Sequence, residues 1–169
     1  VFDNLQNGWQ HVVALTAFDQ GDAANNLQSL ESASLSNIKR VFPGKPTNEG
    51  FANGDPYVYP NPYYAGAAWE GSSGLEEDRK LMFANLPQNC TVRIYTVAGD
   101  FVDSFDHNAE YKGDDIRWFS TYSDVENTKF SGGEHAWDLL SKDNQIIARG
   151  IYLFSVEDKA TGKKVQGKF

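Results

Sequence analysis

Residues 79–105 constrain the fold more than any other stretch. Three short apolar runs, Arg79–Ala84, Thr91–Val97 and Phe101–Phe105, follow one another, split by a Leu86-Pro87 break and an Ala98-Gly99-Asp100 turn. They are too short for helices, and the longest alternates with period two. It sets Val92, Ile94 and Thr96 against Arg93, Tyr95 and Val97. The Ala-Gly-Asp turn marks a close hairpin. The pattern returns in Glu134–Leu139, Ile147–Val156 and Lys163–Phe169, with turns at Ser141–Gln145 and Asp158–Gly162 between them. In Ile147–Val156, Tyr152, Phe154 and Val156 share one face and Ile151 and Leu153 the other. No stretch of about twelve residues keeps a helical period. Six or seven short strands separated by turns predict an all-β chain folded as an antiparallel β-sandwich, with Trp137 and Tyr152 in its core.

Upstream, the composition divides the chain into three parts. Residues 1–42 contain a β-prone run, Gly8–Asp19, in which Val13, Leu15 and Ala17 alternate with Val12, Ala14, Thr16 and Phe18. Both faces are partly apolar, so cover is expected on both. A second short strand is expected at Asn37–Phe42. Two strands alone are marginal in water, so this unit must borrow partners from preceding sequence, from the second unit or from another chain. Residues 43–56 are dense in Pro, Gly, Asn and Asp and read as a linker. Residues 57–169 form the sandwich. Its opening, Tyr57–Tyr64, can only be an edge strand, because Pro60 and Pro62 remove ladder donors. Residues 106–133 are a long polar insertion. Phe169 stops in mid-strand, so further residues are expected beyond it, and any export signal would precede Val1.

The formal net charge is −8. That argues against nucleic acid, whose binding rests on clustered Lys and Arg, and against an anionic membrane surface. No apolar run is long enough to insert in a bilayer. Cys90 is the sole cysteine, which rules out an intrachain disulfide and a cysteine metal cluster, and its place in a β-pattern predicts a buried, unreactive thiol.

Several phrases of residues 57–169 stand in a characteristic order: Val58-Tyr-Pro-Asn-Pro62, Phe83-Ala-Asn-Leu-Pro87, Thr91-Val-Arg-Ile-Tyr95, Ala98-Gly-Asp100, Trp137-Asp-Leu139, Ala148-Arg-Gly-Ile-Tyr-Leu153 and Gly167-Lys-Phe169. Their order resembles the C-terminal Ig-like module of type IX secretion cargo and the related Ig-like module of flagellar hook-capping proteins. Residues 1–42 are similar to the last strands of a fibronectin type III-like domain. The resemblance implies an Ig-like sandwich preceded by two strands of an incomplete or shared fibronectin type III-like unit. It also implies a bacterial protein that is secreted or held at the cell surface. The insertion Asn108–Gly133 is longer than the usual loop of that family.

No catalytic set accompanies these strands. His11, His107 and His135 lack helical zinc spacing and a cysteine partner, and His135, beside Trp137, reads as a strand residue facing solvent. There is no nucleophile elbow and no phosphate loop. Asp19, Asp22, Asp114 and Asp115 read as solvated loop acids rather than calcium ligands. No cofactor and no metal are expected. The candidate interface residues are the loop aromatics Tyr63, Tyr64, Trp69, Trp118 and Tyr122, with Val13 and Leu15 of the first strand. The expected function is non-enzymatic: sorting, attachment or assembly of a larger extracellular protein through protein partners. Two alternatives stand beside it. One is a structural subunit that adds strands to a neighbour, including a second copy of itself. The other is a carbohydrate-binding module.

Overall fold

The run Leu81-Met-Phe-Ala84 sets the layering. All four side chains are buried, and a strand can bury consecutive residues only if both of its faces are covered. In the computed structural model, which describes residues 3–64, 66–67, 70, 79–116 and 125–169, that strand lies at the centre of the middle layer of three. The strands are β1 (His11–Val13), β2 (Lys39–Phe42), β3 (Tyr57–Tyr59), β4 (Leu81–Ala84), β5 (Asn89–Thr96), β6 (Phe101–Asn108), β7 (Thr128–Phe130), β8 (Glu134–Trp137), β9 (Tyr152–Asp158) and β10 (Lys164–Lys168). The four-stranded sheet runs β10-β9-β5-β6, the middle sheet β3-β4-β8 and the third β1-β2-β7. The first two are antiparallel throughout; in the third, β2 pairs with β7 in parallel. The chain is all-β, as expected.

The main core lies between the four-stranded and middle sheets. Val92, Ile94, Phe154 and Val156 meet Val58, Leu81, Phe83 and Trp137 there. Phe83 is its hub, edge-on to Phe105 at 5.3 Å, Phe154 at 5.5 Å and Phe169 at 6.0 Å between ring centroids. The alternate residues of the middle sheet, Met82 and Ala136, turn outward and pack with Phe42 and Ile116. Phe130 stacks on Phe42 at 4.7 Å. The Cys90 thiol is buried, and burial pushes its pKa up to about 12.

Segment 43–56 has the expected turn-forming composition, and it lies against the sandwich. Asn48 pairs with Pro87 in a parallel bridge, donates its backbone N–H to Leu86 O at 2.9 Å and is buried. Phe51 joins the main core. The approach is close enough to demand glycine twice. A Cβ on Gly44 would stand 2.0 Å from the Glu134 carboxylate, and one on Gly133 would stand 2.2 Å from Pro46 O.

The first unit departs from expectation in two ways. Its strand is short, His11–Val13, and cover on both faces is not found: Val12, Leu15 and Phe18 are 59%, 77% and 78% exposed. Beyond Val13 the chain runs as an irregular arm, with Leu15 N–H donating to Asn37 Oδ1 and Ala17 O accepting from Ser32 N. Regular pairing fails there because Asn37 and Ser32 side chains take the place of ladder partners. Of the three sources of partners left open by the sequence, the second unit supplies one, since β7 lies within the insertion.

Candidate functional site: a groove at the end of the sandwich

The prolines that end β3 at Tyr59 also start the site. Pro60 and Pro62 cannot continue a ladder, so the chain leaves the sheet and carries Tyr63 and Tyr64 across its end. Asn61 Nδ2 donates to Lys168 O at 3.2 Å, which ties this turn to β10. The opposite wall is the β8–β9 connection. Trp137 Nε1 donates to Leu140 O at 3.1 Å and to Asp103 Oδ2 at 2.9 Å, and Tyr152 Oη donates to Ala148 O at 2.7 Å. These bonds hold a loop that belongs to no strand.

Between the two walls lies a groove of about 760 Å³. Leu81, Leu139 and Tyr152, all buried, form its floor, and Tyr64, Ile146 and Ile151, all exposed, stand at its rim. Among the described residues Arg79, Arg149, Lys168 and Asp138 are the charged side chains that line it. Burial raises the Asp138 carboxyl above its ordinary value. Arg149 and Lys168 thus set cationic side chains along the groove in a chain of net charge −8. Its size and apolar floor fit a bound segment of side chains, and its cations favour carboxylates.

Of the candidate interface residues, Tyr63 and Tyr64 both line the groove. Tyr63 Oη also donates to the buried Glu70 carboxylate, 2.9 Å from Oε1, which fixes its ring. Trp69, Trp118 and Tyr122 lie outside the described residues. Val13 and Leu15 belong to the third sheet and its arm, and are not part of the groove. Sequence reasoning missed Ile146, Arg149 and Ile151. The signal was present: Ile151 falls on the face of Ile147–Val156 opposite to Tyr152, Phe154 and Val156, where an apolar side chain has no core to enter.

A second constellation corrects the reading of His135. That side chain does not face solvent; it is 1% exposed, and His107 is 2% exposed. The two meet Nδ1 to Nδ1 at 3.3 Å. His135 is buried because β8 belongs to the middle sheet, whose faces are both covered. Asp115, expected as a solvated acid, reaches His135 Nε2 with Oδ2 at 2.9 Å. Asp22, by contrast, caps the short turn Ala23–Asn25. Among the described residues no group of three His, Cys, Asp or Glu side chains is arranged to hold a metal ion.

By its fold the chain is an all-β sandwich with a third, mixed sheet laid on its middle layer. No family model matches it, and no curated protein is significantly similar to it. Two solved structures from Porphyromonas gingivalis show a weak likeness to it. PorZ, an essential bacterial surface component of the type-IX secretion system, is 20% identical with a TM-score of 0.40, over 68% of this chain and 11% of that one. Dimeric latent PorU is 18% identical with a TM-score of 0.36, over 97% of this chain and 12% of that one. The chain thus spans about a tenth of either protein. Likenesses this low carry no argument about what it does.

Proposed function

We propose that the chain is a non-catalytic β-sandwich module of a secreted or cell-surface bacterial protein, and that it engages a protein partner in the groove at the end of the sandwich. The ordered phrases of residues 57–169 support the sorting or attachment role. The carrying observation is the groove itself: an apolar floor, a tyrosine and isoleucine rim, and the cationic side chains of Arg149 and Lys168 along it. Charge complementarity selects the occupant, an extended protein segment that alternates apolar or aromatic side chains with Asp or Glu.

Selection from a random peptide library on the intact chain tests this. Enriched peptides are expected to combine aromatic or aliphatic residues with carboxylates. Binding is expected to weaken about tenfold or more in Tyr64→Ala and in Arg149→Glu, and to weaken with salt for the parent chain. Peptides without carboxylates, or binding indifferent to Arg149→Glu, would refute the partner chemistry. In the producing bacterium, whole-cell labelling of the parent protein is expected to fall in the same two variants at equal cellular protein level; unchanged labelling would refute the attachment role.

The exposed arm favours a second reading, a subunit that completes a neighbour's sheet. Val12, Leu15 and Phe18 are exposed, and among the described residues β1 is an open edge. Light scattering decides it: ordered multimers that grow with concentration support strand addition, and a constant monomer mass refutes it.

A further inference from the structure

His107 comes from β6, at the edge of the four-stranded sheet, and His135 from β8, at the edge of the middle sheet. Their contact closes the sandwich along one side. Its hydrogen bonds admit only one arrangement of protons when Asp115 is ionised. His107 Nε2 lies 3.0 Å from Gly132 O. A carbonyl only accepts, so His107 carries its proton on Nε2 and presents a lone pair at Nδ1. His135 Nδ1 must then donate to His107. The other His135 nitrogen faces the Asp115 carboxylate, which also only accepts. His135 therefore holds a proton on each nitrogen and is an imidazolium. Phe105 and Tyr111 stack on its two faces at 4.2 and 3.8 Å, an aromatic enclosure that favours a cation.

The four groups also join both roots of the insertion to the sandwich. Asp115 stands at its beginning and Gly132 at its end. Between them lie Ile116, packed on Met82 and Phe42, and β7, which pairs with β2. We propose that Gly132, His107, His135 and Asp115 form a proton-held clasp, in which the imidazolium of His135 fastens the insertion, and through β7 the N-terminal arm, to the sandwich.

Opening follows from donor counting. A neutral His135 leaves the hydrogen-bonded chain one N–H short, so one of the Gly132–His107, His107–His135 and His135–Asp115 bonds must break. A proton added to His107 has a similar effect from the acid side, because two N–H groups then face each other at Nδ1. The clasp is thus closed over an interval of pH and open at both ends. The surrounding charges favour the closed form. Asp106 of β6 and Glu110, Lys112 and Asp114 of the following segment line the same cavity; Lys159 pairs with Asp106 at 2.9 Å, which leaves Glu110 and Asp114 against the Lys112 ammonium. On β8 itself, Glu134 turns to the other face, toward Tyr59 and Lys45. From β4 the register partner of His135 is Phe83, which does not titrate.

Imidazole nitrogen spectra of the ¹⁵N-labelled full chain, taken from about pH 4 to about pH 9, test the proton assignment. The expected result is His107 protonated on Nε2 and His135 on both nitrogens in the closed interval. A neutral His135 throughout would overturn the proposal. Amide hydrogen exchange, corrected for intrinsic rate, tests the coupling. As His135 loses its proton, exchange in β2 and β7 is expected to quicken about tenfold or more, while Val92 and Ile94 of β5 hold. Exchange in β2 and β7 that merely follows β5 would overturn it. Asp115→Ala, which leaves nothing for His135 Nε2 to bond, is expected to show the fast β2 and β7 exchange at every pH. Should that variant not fold, its β5 amides reveal it, and the measurements on the parent chain still decide.

Discussion

At the scale of single residues, the tightest tolerances among the described residues are Gly44, in segment 43–46, and Gly133, which lies against it. Gly133→Ala places a methyl group 2.2 Å from Pro46 O, and a backbone oxygen cannot swing aside as a side chain can. The expected loss is about 1–3 kcal/mol of stability in urea unfolding, as for other overpacked sites. His107 gives a pH dependence. Burial, and then the charge of His135, push its pKa down to about 4. In the unfolded chain it returns to about 6.5, so the unfolded state takes up the proton first as pH falls. The stability from this residue is whole above about pH 6.5 and drains away toward pH 4, by about 3 kcal/mol in all. Urea midpoints at about pH 7 and about pH 4.5 check the sign, and His107→Gln is expected to flatten the slope between them. Asp115 acts lower on the scale. Burial works to raise its carboxyl, but the hydrogen bond and charge of His135 outweigh that and lower it, so its share is lost only in stronger acid.

At the scale of elements, β4 is where sequence and structure agree most closely. Phe83→Ala is expected to cost about 3–5 kcal/mol, measured by chemical denaturation, because the ring packs against Phe105, Phe154, Trp137 and Phe169. The hairpin β5–β6 and the pair β9–β10 were legible from period-two alternation and turn chemistry, since each buries one face and exposes the other. The third layer was not. Its signal is the unbroken apolar run Leu81-Met-Phe-Ala84, which needs cover on both faces, yet a run of four residues does not say what supplies the second cover. Nor does the insertion announce β7, since Thr128-Lys-Phe130 is three residues in polar surroundings. The short β1 shows the opposite failure. Alternation through Gly8–Asp19 promised a long strand, but Asn37 and Ser32 satisfy the backbone of Leu15 and Ala17 with side chains, and local bonds of that kind compete with a ladder. The groove was half visible: its tyrosines follow from the prolines before them, whereas its cations come from three separate places in the chain.

At the scale of the whole molecule, stability is unevenly spread. Two buried clusters hold the sandwich and the inner side of the third sheet, while the arm from Ala14 to Ser36 contributes no buried side chain. Among the described residues, brief chymotrypsin treatment is therefore expected to cut first after Leu15, Phe18, Leu27, Leu30 or Leu35, leaving a folded core, with mass spectrometry locating the cuts. First cuts within β4, β5 or β9 would contradict this distribution. The parallel pairing of β2 with β7 has a consequence in time. Lys39 and Asn127, which hydrogen-bond beside that pairing, stand 88 positions apart. A chain that emerges from a ribosome or a pore N-terminus first exposes the arm long before its dock exists. Only when residues 128–130 have followed can the arm settle, so this segment waits for a partner made long after it.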